Sequence, residues 1–300
     1  MKKKIINNPV YQDLISLNLV NYKNLYLIND KTRDFKDLPV YIDKKSNIIF
    51  LSKYKKNISY YKKKKTNRRK VGNKSFSLFK NQKIKTLNLS DQKRRVRQYW
   101  KTFKNKKILD FGCGDGEFLS ILKKFTKEAY GLELNKYHIN KLKNKIKIFD
   151  NLEEINFKFD YITMFHVLEH LPKQILILKE LKKKLKKNGK LIIEVPHAND
   201  FLIKTNLSEF KNFTFWSEHL ILHTENSLKK FLNKAGFKKI KIKFFQRYNF
   251  ANHLGWFLDK KPGGHLNYKN YQDKKLIDSY ENFLNKTKMT DTLIAEASNF

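Results

Sequence analysis

Residues 107–118 read Lys-Ile-Leu-Asp-Phe-Gly-Cys-Gly-Asp-Gly-Glu-Phe, and they constrain the fold more than any other stretch. A short apolar run ends in Asp110, glycines follow at 112, 114 and 116, and helix-forming sequence starts at Glu117. This is a strand, a tight loop and a helix N-terminus, an arrangement that lets backbone approach a nucleotide-like ligand. The spacing Gly-x-Gly-x-Gly differs from the Gly-x-Gly-x-x-Gly of dinucleotide sites. A phosphate-binding loop would need Gly-Lys-Ser/Thr, and Glu117 stands there instead.

Downstream, strands and helices alternate. Strands are predicted at 107–111, 128–133, 146–149, 159–165, 190–195, 238–245 and 292–297, from short apolar runs bounded by polar turns. Helices are predicted at about 117–125, 135–145 and 172–187, the last stopped by Asn188-Gly189. A further helix is capped by Thr224 and stopped by Gly236. A helix from Gln92 to about Phe103 precedes the first strand, with Val96, Tyr99, Trp100 and Phe103 on one face and arginines on the other. Such alternation means a parallel sheet covered by helices, with ligands outside the carboxyl ends of the strands.

The strand ends therefore supply the candidate site. Asp110, Gly112, Cys113, Gly114 and Gly116 follow the first strand, and Glu133-Leu134 ends the second. An acidic residue at 133 is placed to accept ribose hydroxyls. Asp150 and Asn151 follow the third strand, where an adenine amino group would be read. Phe165 and His166 end the fourth strand, and Pro196-His197 the fifth.

Ile108-Leu-Asp-Phe-Gly-Cys-Gly-Asp-Gly, Gly131-Leu-Glu-Leu, Phe159-Asp-Tyr-Ile, His166-Val-Leu-Glu-His-Leu and Leu185-Lys-Lys-Asn-Gly-Lys-Leu-Ile-Ile-Glu-Val-Pro together resemble the ordered motifs of class I S-adenosylmethionine-dependent methyltransferases. The resemblance covers about residues 91–245 and the final strand. It implies an α/β, Rossmann-like, seven-stranded doubly wound sheet with an antiparallel last strand. It also implies S-adenosyl-L-methionine as cofactor, with the glycine loop under its methionine part and Glu133 on its ribose, and Phe118 as a packing residue. Residues 91–300 are then the methyltransferase domain, with a substrate-side insertion at about 246–290. Residues 1–90 form a small basic α+β extension, a lid or substrate region, with a hairpin of Leu38–Asp43 against Ile48–Leu51.

An oxygen or carbon acceptor needs a base, typically histidine or a carboxylate. His166, His197 and His219 are the candidates, His166 also as a cofactor contact. His166, Glu169 and His170 have the i, i+3, i+4 spacing that shares one helical face. Some phenol O-methyltransferases of similar build carry an acidic/His cluster here; with His166 in place of their first acid, no metal is expected. Glu169 and His170 also read as residues that fix a helix start, and His223 as structural. Arg247, Asn252, His253, Trp256 and His265 lie in a segment dense in aromatics and amides, suited either to gripping a polar acceptor or to packing a subdomain. After the fourth strand, the Asn/Asp-Pro-Pro-aromatic tetrapeptide common in enzymes that methylate base amines is replaced by Phe165-His-Val-Leu-Glu-His. A sugar or glycan precursor is the first substrate expectation, and a phenolic or quinone-type molecule the second.

The formal net charge of +37 raises nucleic acid as a partner. Residues 1–107 hold 31 of the Lys and Arg against 6 Asp and Glu, concentrated in Lys62–Lys70. Only seven basic residues are arginine, the side chain that forks onto phosphates and bases. A Lys-, Asn- and Ile-heavy chain reads first as a general residue bias. A functional basic face for RNA, anionic lipid or an anionic glycan is the alternative. One cysteine, Cys113, allows no internal disulfide, and no apolar run is long enough to span a bilayer. A cytoplasmic enzyme is expected.

Overall fold

The computed structural model describes residues 6–63 and 85–300. Most of the expected basic linker at 61–90, including 64–70 of the lysine run, lies outside the described residues. The first strands are β1 (Leu25–Asn29), β2 (Val40–Asp43) and β3 (Ile49–Leu51). The predicted hairpin is present, with Val40 opposite Leu51 and Ile42 opposite Ile49. Its turn is held by the Asp43 carboxylate, which accepts the backbone N–H of Lys45 and Ser46. Asn47 completes the turn at φ +58.

The next strands are β4 (Lys107–Phe111), β5 (Glu128–Leu132), β6 (Lys147–Phe149), β7 (Phe159–Phe165) and β8 (Leu185–Pro196). They are followed by β9 (Ile221–Leu222), β10 (Lys238–Phe245) and β11 (Thr292–Ser298). β9 joins the first three strands in the order β1-β2-β3-β9, and the other seven form one sheet ordered β10-β11-β8-β7-β4-β5-β6. β4 pairs in parallel with β5 and β7, β5 pairs in parallel with β6, and β10 runs antiparallel to β11. This is the Rossmann-like, doubly wound sheet expected from the motifs, with its antiparallel last strand.

One boundary moved. The helix predicted to run to 187 is Gln174–Lys183, and β8 begins at Leu185. Asn188 does take the left-handed conformation expected of a stop, at φ +62. It does so inside the strand, where the Asn188 N–H donates to the Asn299 carbonyl and the Asn299 N–H donates to Gly189. Long-range pairing with the chain end outweighs the local stop signal. The helix before β4 starts earlier than expected, spanning Lys85–Phe103. Helix Glu225–Lys234 has the predicted cap, a capping box of Thr224 and Ser227, and Gly236 ends it at φ +88.

The described chain divides into two compact units. One comprises Lys56–Phe165, Leu181–Leu191 and Asn299–Phe300. Its core holds Phe103, Ile108, Leu109, Phe118 and Phe159, all 2 % exposed or less. The other comprises Met1–Lys55, His166–Glu180 and Ile192–Ser298. In it, the buried Asn8 amide donates to the carbonyls of both Leu51 and Leu220, fixing the N-terminal segment to the small sheet. Helices Phe250–Asp259, Gly264–Asn267 and Lys274–Lys286 occupy the expected insertion.

Candidate active site

In the first unit, the candidate cofactor surface is built mainly from backbone. The glycines at 112, 114 and 116 have φ values of +75, +57 and +70, so the loop curls left-handed. At Gly114 nothing lies within 4 Å of where a side chain would start, so the loop faces open space there. Gly131 on β5 is different. A Cβ there would sit 2.6 Å from the Cys113 Sγ, so only glycine lets the loop seat against β5.

Glu133 clamps this loop. Its Oε2 accepts the Gly114 N–H at 2.8 Å, and its Oε1 accepts the N–H groups of Leu134 and Asn135 at 2.8 and 2.9 Å. A carboxylate offers about four acceptor positions. Three are used, which leaves one on Oε2 for a ligand hydroxyl. Cys113 contributes a buried side chain whose thiol is pushed up, first by burial and then by Asp110 and Glu133.

Asp110 is buried, and its register opposite both Gly131 and Thr163 explains its partner. The Thr163 hydroxyl donates to its Oδ1 at 2.7 Å. Burial pushes the Asp110 carboxyl up to about 7, against the pull of that hydrogen bond and of Arg95. Arg95 is 5 % exposed, and its guanidinium sits 4.5 Å over the Phe165 ring, whose other neighbour is Phe118, edge-on at 5.1 Å. Asp150 and Asn151 are exposed after β6, and Asn151 accepts the Glu153 N–H to shape the turn.

In the second unit, a separate cluster is built from side chains. His166 adopts φ +55, an uncommon conformation for a residue with a Cβ, and its N–H donates to the Glu194 carbonyl at 2.8 Å. Its Nδ1 lies 3.4 Å from Glu169 Oε1 and its Nε2 3.2 Å from Glu194 Oε1. Burial and Arg247 oppose a charge on this ring, yet the two carboxylates hold its pKa above the usual value. Residues 168–170 form a single 3-10 turn, so Glu169 and His170 precede the helix at Gln174 and do not start it.

Glu169 is 1 % exposed. Burial alone would raise its carboxyl, but His166, then His170 and His219, bring it down to about 2. The His170 Nδ1–H donates to the Glu218 carbonyl at 2.8 Å, and its ring meets His219 edge-on at 4.9 Å. Burial, then His170, pushes His219 down to about 3. Trp216 packs 5.8 Å from His219 and carries the Arg33 guanidinium 4.7 Å over its ring.

The remaining expected residues are placed elsewhere. His197 is 1 % exposed, its Nδ1–H donates to the Thr290 carbonyl, and burial holds it near 4; it is a structural link and is not carried forward as a base. His223 bridges Gln174 and Ser227, the structural role expected. His253 is buried, stacked on Phe201 and bonded to the Tyr280 hydroxyl, and Trp256 packs on Phe210 and Phe213. Asn252 is buried on the same helix. Their helix turns them into its packed face, so these three are not carried forward as acceptor contacts. His265 is half-buried, and Arg247 donates its backbone N–H to Asp291.

Four residues escaped the sequence reading: Arg95, Thr163, Glu194 and Arg33. Glu194 did leave a signal, a lone charge inside the apolar run Leu-Ile-Ile-Glu-Val.

Residues 84–242 match the methyltransferase domain family. The chain is 35% identical over 119 residues to an uncharacterized protein of Methanocaldococcus jannaschii, covering 38% of this chain and 52% of that one. It is 26% identical over 163 residues to the tRNA U34 carboxymethyltransferase of Aliarcobacter butzleri, covering 49% and 52%. It is 31% identical over 109 residues to the ubiquinone biosynthesis O-methyltransferase of Pelagibacter ubique, covering 33% and 45%. The chain thus spans about half the length of the curated relatives it matches. Among the described residues, no helix is long and apolar enough to cross a membrane.

Proposed function

Because the chain belongs to the class I S-adenosylmethionine-dependent methyltransferases, we propose that it methylates a hydroxyl oxygen of a small molecule, most directly a sugar or glycan precursor. When bound, S-adenosylmethionine supplies an electrophilic methyl group on a sulfonium sulfur. The residues present fit that cofactor: an open glycine loop at Gly114, the close seat at Gly131, and Glu133 with an acceptor position to spare. The open backbone at Gly114 would admit its amino-acid part, and Glu133 would hold its ribose.

The acceptor reading rests on one observation, the imidazole–carboxylate set of His166, Glu169 and Glu194 directly after β7. An amine acceptor reaches transfer with a lone pair already available, whereas a hydroxyl must lose its proton as the new bond forms. His166 is one residue beyond Phe165, and its ring is fixed between two buried carboxylates. Positioning of donor and acceptor then supplies most of the remaining acceleration. The Pelagibacter relative, a ubiquinone biosynthesis O-methyltransferase, favours a phenolic or quinone-type hydroxyl as the second reading.

The test is methyl transfer from labelled S-adenosylmethionine to nucleotide sugars, catechol-type phenols and total RNA, with the product atom located by mass spectrometry. Label on a saccharide oxygen is expected. Label on phenols alone would install the second reading, and label on amines or on RNA alone would overturn the hydroxyl small-molecule proposal.

A further inference from the structure

Glu169, His170 and His219 each offer one ligand atom, and these atoms lie within 4.8 Å of one another. Neither oxygen of the buried Glu169 carboxylate has a hydrogen-bond partner among the described residues. A buried carboxylate without hydrogen bonds is costly unless a cation compensates it. His166 serves only Oε1, at 3.4 Å.

The orientation of His170 points the same way. The His170 Nδ1–H donates to the Glu218 carbonyl, which turns its Nε2 toward Glu169 Oε1, 3.9 Å away. A backbone carbonyl that fixes the outer nitrogen of a histidine is also how metal-binding imidazoles are oriented.

From this geometry we propose that Glu169, His170 and His219 bind one divalent transition-metal ion, with Zn²⁺ the best match. The donor set is two nitrogens and one oxygen. Zn²⁺ takes such sets with bonds of about 2.0–2.2 Å, which puts neighbouring donors roughly 3.3 Å apart around a tetrahedron. Binding an ion would draw the present spacing, up to 4.8 Å, in to that value. Mg²⁺ and Ca²⁺ prefer all-oxygen sites and are poorly served here. Three protein ligands leave at least one coordination position open, the pattern of sites that take an oxygen ligand. This departs from the metal-free expectation of the sequence, where His166 was counted in the cluster and His219, 49 residues beyond His170, was not. The proposal goes beyond the acceptor reading and does not depend on it.

The test uses the full chain after chelator treatment, titrated with Zn²⁺ by calorimetry and with Co²⁺ by visible absorption. One ion per chain is expected, with Co²⁺ bands typical of low-coordinate nitrogen and oxygen ligands. His219→Ala and Glu169→Gln should each weaken Zn²⁺ binding by at least about 100-fold while S-adenosylhomocysteine affinity stays unchanged. If His219→Ala also loses S-adenosylhomocysteine, its fold is compromised, and Glu169→Gln, which keeps the side chain's shape, decides. Absence of Zn²⁺ binding, equal binding of Mg²⁺, or Zn²⁺ affinity unchanged in Glu169→Gln would overturn the site and leave an adventitious ion only.

Discussion

The cofactor loop and the histidine–carboxylate cluster solve different problems with different materials. At residues 112–116 the ligand surface is backbone: left-handed glycines, a seat against Gly131, and one carboxylate accepting three N–H groups. At 166–170, 194 and 219 the surface is side chain: three imidazoles and two buried carboxylates brought together from three segments. A donor common to a whole family can be gripped by a fixed backbone shape. In the function proposed above, the acceptor is met by side chains, which can change without disturbing the fold.

The largest effect expected from breaking this division comes at His166. His166→Ala should lower turnover by about 10²–10⁴-fold, with S-adenosylhomocysteine affinity within about threefold of the native chain. Steady-state kinetics with calorimetry checks this. A parallel loss of both would move His166 into the cofactor half, where the sequence also allowed it.

A second effect is read in pH. The Asp110 carboxyl has its folded pKa raised to about 7 from the model-compound value of 3.8. The folded chain therefore keeps a proton that the unfolded chain has released. The contribution of this group to stability is greatest below about pH 4, falls as pH rises, and levels off above about pH 7. Relative to Asp110→Asn, the native chain should lose up to about 4 kcal/mol across that window in denaturant titrations. A pH-independent difference would mean that Arg95 keeps Asp110 ionised throughout.

A smaller effect sharpens the backbone side of the comparison. Gly131→Ala would place a Cβ against the Cys113 Sγ, so stability should fall by about 1–3 kcal/mol. Cys113→Ala, which removes that sulfur, should restore part of the loss. Thermal melts of the single and double variants measure it, and additive losses would break the link between loop and strand.

The same division explains what could be read from sequence. The glycine loop and the succession of strands along the chain were legible because backbone geometry leaves local signatures: a glycine where φ must be positive, a short apolar run at each strand. Arg95 was read as lying on the outer face of its helix, because helical periodicity marks which face is apolar and does not show that a guanidinium is buried over Phe165. Thr163 became visible only through the parallel register that sets it beside Asp110. The pairing of His170 with His219 spans 48 intervening residues, and no local spacing encodes it. His253 and Trp256 looked like ligand contacts by composition, and helix packing turned both inward. The start of β8 at Leu185 was hidden for a related reason, since its partner is Asn299 at the far end of the chain.

The central claim is that donor and acceptor sides are separable. Calorimetric titration of S-adenosylhomocysteine into Glu133→Ala and Glu169→Gln tests it most directly. Glu133→Ala should bind more weakly by roughly 1–3 kcal/mol, through the lost ribose hydrogen bond and the released loop. Glu169→Gln should bind as the native chain does. Undiminished affinity in Glu133→Ala, or an equal loss in Glu169→Gln, would contradict the account.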